Sequence, residues 1–176
     1  MRNRIIAAAF AALFTLPVAA HDYTVGALKI DHPVARETTM FARATGGFMT
    51  ISNSSNVDDR LIAVESDAAR RIELHLTEND NGVMRMREQQ GGIVVPANGS
   101  VVLKPGSYHV MFMGINEPFK AGETREATLV FETAGRVDVV FNVEEMGGGH
   151  GGHDHSGHDH GDHEGHDHDD HSGHNH

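Results

Sequence analysis

The sequence predicts an all-β protein, an antiparallel sandwich or barrel whose strands are joined by tight turns. Short runs alternate apolar and polar residues at the period of a strand, and turn-forming pairs separate them. No long stretch shows helical spacing. Seven to nine such runs recur at regular intervals along the chain, which is typical of antiparallel sandwiches and barrels.

The turns identify the individual strands. Residues 71–77 alternate clearly, and Asn, Asp and Gly at 79–82 predict a hairpin that leads into a strand at 83–87. Asn98-Gly99 and Pro105-Gly106 predict two further turns on either side of a short strand. The other predicted elements are strands at 25–30, 47–52, 101–103, 108–113, 127–131 and 137–143, and a single helical turn at 67–69.

Composition divides the chain into three zones. Residues 1–20 have a basic start, a short apolar run and small residues before Ala20, which predict a cleaved signal peptide and export to the periplasm. That apolar run is too short to span a membrane, so no insertion is expected after cleavage. Residues 21–146 are long enough for one domain with one core. Residues 147–176 contain no large apolar side chain and are predicted to be a disordered tail.

Cysteine content and charge exclude several classes of function. The chain has no Cys, which excludes disulfides, thiolate catalysis, iron–sulfur clusters and a blue-copper centre. The net charge of −11 disfavours nucleic acid and anionic lipid and suits cationic ligands. No nucleophile elbow, HExxH or paired-acid motif is visible, so we expect a monomeric binding protein and not an enzyme.

Strand parity places histidine and methionine together on the side away from the predicted core. In the strand at 108–113, alternation puts His109, Met111 and Met113 on the outer face. In the strand at 71–77, the same alternation puts His75 outside. Two separate strands therefore each present an outward imidazole.

Met86 approaches His75 in either register of the first hairpin. A four-residue loop at 79–82 pairs the two residues directly, and a two-residue loop at 81–82 makes them diagonal neighbours. A second reversal is predicted at Pro105-Gly106. It would place Leu103 beside Tyr108 on the inner face and keep His109 on the outer face.

If the two hairpins lie close together, they form a site with two nitrogen and two sulfur ligands. Thioether sulfur is soft and uncharged, and it selects Cu(I) over zinc, magnesium or calcium. The other methionines have a plainer interpretation, since methionine commonly fills gaps in cores, and we expect Met49 and Met84 to do so. The four candidate ligands are His75, Met86, His109 and Met111.

Residues 103–114, and the segment Glu73-Leu74-His75 followed after ten residues by Met86, resemble the signature of the PCuAC periplasmic copper chaperones. The family pattern is His, ten residues, Met, about twenty-one residues, then His-x-Met. This chain has twenty-two residues between Met86 and His109, and Leu76 stands where the family often has Met.

The resemblance covers residues 30–143 and implies a cupredoxin-like Greek-key β-sandwich. It implies that Cu(I) is bound by His75, Met86, His109 and Met111. It also implies copper delivery to the CuA centre of cytochrome c oxidase, directly or through Sco-type thiol proteins.

The predicted tail is rich in histidine interleaved with acids. Flexible imidazoles beside carboxylates chelate divalent ions, with Cu(II) bound most strongly and Zn(II) as a further candidate. An alternative function is therefore periplasmic copper or zinc buffering that acts mainly through the tail, and a tail without a role is the plainest alternative. The eleven candidate ligands are His150, His153, His155, His158, His160, His163, His166, His168, His171, His174 and His176.

Overall fold

The computed structural model describes residues 22–145, and this part of the chain consists of β-strands joined by turns and loops, without a helix. No helix long and apolar enough to cross a membrane occurs among these residues. The predicted signal peptide and histidine-rich tail lie outside them. The eleven strands are β1 (Asp22–Val25), β2 (Leu28–Arg36), β3 (Ala44–Asn53), β4 (Asp59–Glu65), β5 (Ala69–Asp80), β6 (Val83–Glu88), β7 (Ile93–Val95), β8 (Gly99–Leu103), β9 (Tyr108–Ile115), β10 (Thr124–Phe131) and β11 (Gly135–Glu144).

The strands pair in the order β6-β5-β9-β3-β2-β11-β10-β4-β7, with β1 beside β2 and β8 beside β3. The all-β class is confirmed, and most pairs are antiparallel as predicted. One pair departs from that prediction, because β11 runs parallel to β2, with Asn142 opposite Val34. These two strands belong to separate antiparallel units and are far apart in the sequence. No tight turn connects them, so they are not forced to run in opposite directions.

Buried side chains from strands along the whole sheet form one apolar core. Phe112 of β9 lies at its centre, with its ring centroid 5.6 Å from that of Phe119 and 5.5 Å from that of Phe141. Leu74 and Val110 anchor β5 and β9 in the same core. This anchoring fixes which side chains of the two strands face the other way.

The β5–β6 hairpin uses the shorter of the two predicted loops. Asn81 and Gly82 both have positive φ, 52° and 88°, as a two-residue hairpin with the right-handed twist of its strands requires. In this register Thr77 lies opposite Met86. Met86 is therefore a diagonal neighbour of His75.

The predicted reversal at Pro105-Gly106 is wrong. Strands β8 and β9 lie end to end along one edge of β3, with Leu103 opposite Met49 and Val110 opposite Gly47. In the loop at 104–107, the N–H of Ser107 donates to the carbonyl oxygen of Lys104, and the N–H of Lys104 donates to that of Tyr108. After this loop the chain continues in its original direction along β3. Leu103 is consequently not paired with the start of β9.

Smaller differences concern strand ends. The run predicted at 25–30 is divided by a turn at Gly26, whose φ is 57°. Residues 67–68 form a simple turn and not a helical one, and Ala69 already belongs to β5. Strands β4 and β7 are not predicted from the sequence; β7 has only three residues, too few for a pattern of alternation to be recognised.

Candidate metal centre

His75 and His109 face each other across β5 and β9. The two residues are directly paired, and their ring centroids lie 5.7 Å apart with the ring planes at 81°. Both side chains lie on the face opposite to that of Leu74 and Val110, which are buried in the core. The predicted parity of the two strands is therefore correct.

The expected exposure of this face is wrong for His109, whose exposed fraction is only 5%. The ring of Phe48, on β3, lies 6.4 Å from that of His109. The guanidinium of Arg36 lies over the Phe48 ring, 5.7 Å from its centroid, as in a cation–π contact. The His75 side chain is 12% exposed. The paired imidazoles thus lie in a shielded recess and not on an open surface.

Gly46 leaves room for the Phe48 ring beside His109. Gly46 is paired with Met111 across β3 and β9. A Cβ atom at Gly46 would lie 2.9 Å from Cζ of Phe48, so the ring occupies the space that a side chain would need. The size of residue 46 therefore controls the position of the ring next to His109.

His109 is oriented by the loop at 104–107. Its Nδ1 lies 3.0 Å from the carbonyl oxygen of Ser107. A carbonyl oxygen only accepts hydrogen bonds, so in the neutral ring Nδ1 carries the proton and Nε2 keeps its lone pair. Backbone carbonyls orient metal-binding histidines in the same manner.

His75 is oriented by an acid on its own strand. Its Nε2 donates to Oε2 of Glu73 at 2.7 Å, and Oε1 of Glu73 accepts from Nε of Arg71 at 2.9 Å. The other ring nitrogen, Nδ1, is buried and has no hydrogen-bond partner in the part of the chain that the structure describes. A buried unpaired nitrogen is costly unless a ligand completes it.

The predicted sulfur ligands lie next to the histidine pair. Met111 is two residues beyond His109 on the same face of β9, directly opposite Glu73, and is partly buried. Met86 lies on the edge strand β6, diagonal to His75, and is 52% exposed. One thioether thus lies within the sheet and the other at its rim.

Two other methionines were expected to be core residues. Met49 is buried among apolar side chains, which confirms the expectation. Met84 is 57% exposed on β6, so the expectation is wrong there. The reason is that β6 is an edge strand, all of whose residues are exposed.

Neither Glu73 nor Phe48 is predicted from the sequence to belong to the site. A signal for Glu73 existed, because it shares strand parity with His75. Phe48 carried no such signal, since its contact with His109 depends on how β3 is placed in the sheet. Within residues 22–145, no group of three or more His, Asp or Glu side chains has metal-binding geometry. The tail histidines lie outside these residues.

These features define a class: all-β sandwiches with a recessed pair of histidines and neighbouring thioethers on one sheet face. The model of the LpqE-like family, described as "Putative lipoprotein LpqE-like", matches residues 28–143. The chain belongs to this family.

Two curated relatives share part of this sequence. "Putative lipoprotein Lxx21020" of Leifsonia xyli subsp. xyli is 31% identical over 104 residues, which are 59% of this chain and 63% of the relative. Protein RP573 of Rickettsia prowazekii is 32% identical over 85 residues, which are 48% of this chain and 47% of the relative. The chain thus spans less than two thirds of the length of either relative.

Solved structures with the same fold include PCuAC domains and the protein DR1885. The copper-bound PCuAC domain from PmoF2 superposes with a TM-score of 0.63 at 32% identity, covering 72% of this chain and 99% of that domain. The Cu(I) form of DR1885 from Deinococcus radiodurans gives a TM-score of 0.53 at 25% identity, covering 72% of this chain and 83% of that one. The cupredoxin-like sandwich and the resemblance to PCuAC domains are confirmed.

Proposed function

We propose that this chain is an extracytoplasmic copper chaperone, which binds Cu(I) and passes it to another protein without catalytic turnover. The observation that carries the proposal is the facing pair His75 and His109, each with one ring nitrogen against an acceptor. Nδ1 of His75 is buried and has no hydrogen-bond partner among the described residues. The similarity to a copper-bound PCuAC domain supports the choice of metal. The proposed ligands are His75, Met86, His109 and Met111.

The donor set also explains the direction of transfer. Thioethers favour Cu(I), and a site without thiolate holds it less tightly than a Cys site would. Transfer to a cysteine-containing acceptor is then favourable. We propose the CuA subunit of cytochrome c oxidase as the final acceptor, reached directly or through Sco-type thiol proteins.

The proposed organisation follows the three zones of the sequence. Residues 1–20 direct export to the periplasm, residues 21–146 form the copper-binding domain, and residues 147–176 form a tail that chelates Cu(II) near the Cu(I) site. The lipoprotein descriptions of the family and of one relative support a place outside the cytoplasm. The domain acts as a monomer.

A second candidate function is buffering of copper or zinc by the tail. The eleven histidines from His150 to His176 favour it, because they chelate divalent ions without a folded site. In that case the sandwich would be a carrier for the tail.

An anaerobic Cu(I) titration against a chromophoric chelator tests the proposal, with the whole chain and with a chain lacking 147–176. We expect one tight Cu(I) in both. His109→Ala or Met111→Ala should weaken it by more than about 100-fold, since removing a ligand costs more than the ~10–100-fold typical of outer partners. His32→Ala is the control, because His32 pairs with Glu144, away from the proposed ligands. A tail-less chain that holds no Cu(I) would leave only the buffering function.

A further inference from the structure

We propose that Glu73 is a positioning residue, which fixes His75 in the tautomer with the proton on Nε2 and leaves Nδ1 as the metal-binding nitrogen. This inference rests on the proposed Cu(I) site and adds a residue outside its four ligands. The 2.7 Å contact between Nε2 of His75 and Oε2 of Glu73 carries it. A carboxylate can only accept, so the ring nitrogen facing it must donate.

The position of Glu73 is itself fixed. Its second oxygen, Oε1, pairs with Nε of Arg71 at 2.9 Å, and Arg71 also reaches within 3.7 Å of the Met113 sulfur. The side chains of Glu73 and His75 are 13% and 12% exposed, so water competes little for the bond between them. Nδ1 is buried without a hydrogen-bond partner among residues 22–145, so its lone pair is available to a cation.

Charge gives Glu73 a second effect. Two imidazoles and two thioethers are neutral, so Cu(I) would bring an uncompensated positive charge into a recess that is mostly closed to water. The Glu73 carboxylate lies on the ligand side of its ion pair, and Arg71 lies on the exposed side.

The tautomer can be read without any metal. Long-range ¹⁵N–¹H correlation spectra of the ¹⁵N-labelled, metal-free whole chain at neutral pH distinguish a protonated Nε2 from a protonated Nδ1. The His75 signals are assigned by their loss in His75→Gln. We expect the Nε2–H form in the wild type and a mixture of both forms in Glu73→Ala.

Copper affinity provides the second measurement. Glu73→Ala should lower the Cu(I) affinity about 10–100-fold, the usual effect of removing an outer partner of a metal-binding histidine. Glu73→Gln keeps an oxygen acceptor but loses the charge, so it should keep the tautomer and recover part of the affinity. Glu78→Ala is the matched control, because this exposed acid lies on β5 but on its opposite face. Circular dichroism checks that each variant is folded.

Two results would overturn the inference. One is a wild-type His75 with its proton on Nδ1, and the other is a folded Glu73→Ala variant with an unchanged tautomer. A wild-type chain that binds no Cu(I) would refute the proposed function instead, and the tautomer spectra would still decide the role of Glu73.

Discussion

His75 and His109 are directly opposed on β5 and β9, and their rings are nearly perpendicular. The pairing depends on register, since a slip of one residue would turn one imidazole into the core. Leu74 and Val110 prevent such a slip, because both are buried on the other face. The nitrogen half of the candidate site is therefore a consequence of how the core packs.

The two exposed methionines of β6 should differ in their effect on copper. Met86 lies opposite Thr77 and diagonal to His75, whereas Met84 lies two pairs further along, opposite Asn79. We expect Met86→Leu to weaken Cu(I) binding by more than about 100-fold and Met84→Leu by less than about 2-fold, because only the first change would remove a ligand. Chelator competition measures both.

Neither change should alter folding much, because substitutions at exposed positions usually shift stability by less than about 0.5 kcal/mol. Urea unfolding of both variants checks this. Equal losses of copper affinity in the two variants would contradict the assignment of Met86.

The sequence was sufficient to predict the sheet face on which His75, His109 and Met111 lie. Alternation is a local property, and it correctly placed the side chains of His109 and Val110 on opposite faces of the sheet. It could not predict that Phe48 covers His109, because that contact depends on strand order in the sheet. The same limit explains the error at Pro105-Gly106. The pair correctly predicts a turn, but the local sequence does not determine whether the next strand pairs with β8 or continues along β3.

Alanine at the adjacent residues Gly46 and Gly47 should separate site effects from core effects. A Cβ at Gly47 would lie 2.9 Å from a ring carbon of Phe112 and 3.0 Å from one of Phe141, both in the closed core. We expect Gly47→Ala to lower the free energy of unfolding by about 1–3 kcal/mol, the usual cost of overpacking. Its folded fraction should bind Cu(I) normally.

Gly46→Ala should have the opposite profile. Its Cβ would push only the end of the Phe48 ring, which can move away from His109. We expect a smaller loss of stability and a measurable change in Cu(I) affinity. Urea unfolding and chelator competition on both variants make the comparison. A larger loss of stability in Gly46→Ala than in Gly47→Ala would contradict the assignment of Gly47 to the core face of β3 and of Gly46 to the site face.

The ion pair between Glu65 and Arg136 should contribute to stability only above acidic pH. Arg136 donates to both carboxylate oxygens of Glu65, and this hydrogen bonding lowers the pKa of Glu65 below its usual value. A lowered folded-state pKa means that the stabilisation is present above the unfolded value of about 4.3 and is lost as the pH falls through the folded value. The effect is small, because both groups are exposed.

Urea midpoints of the wild type and Arg136→Gln at pH 7 and pH 3 test this. The wild type should have the higher midpoint at pH 7, and the difference should shrink at pH 3 and in 1 M salt. A difference that is independent of pH would mean that Arg136 acts through packing.

Deleting 147–176 should remove Cu(II) binding while leaving Cu(I) binding intact. Imidazole nitrogens and carboxylates suit Cu(II), whereas the thioethers proposed for the folded site favour Cu(I). Free histidines have a pKa of about 6.5, so Cu(II) held by the tail should be released as the pH falls below that value. Equilibrium dialysis with Cu(II) at pH 7.5 and pH 5 measures the stoichiometry of both chains. Replacing the eleven tail histidines with Asn keeps the length and the acids and serves as the control. If that control still binds as much Cu(II) as the wild type, the carboxylates or the folded domain must hold it.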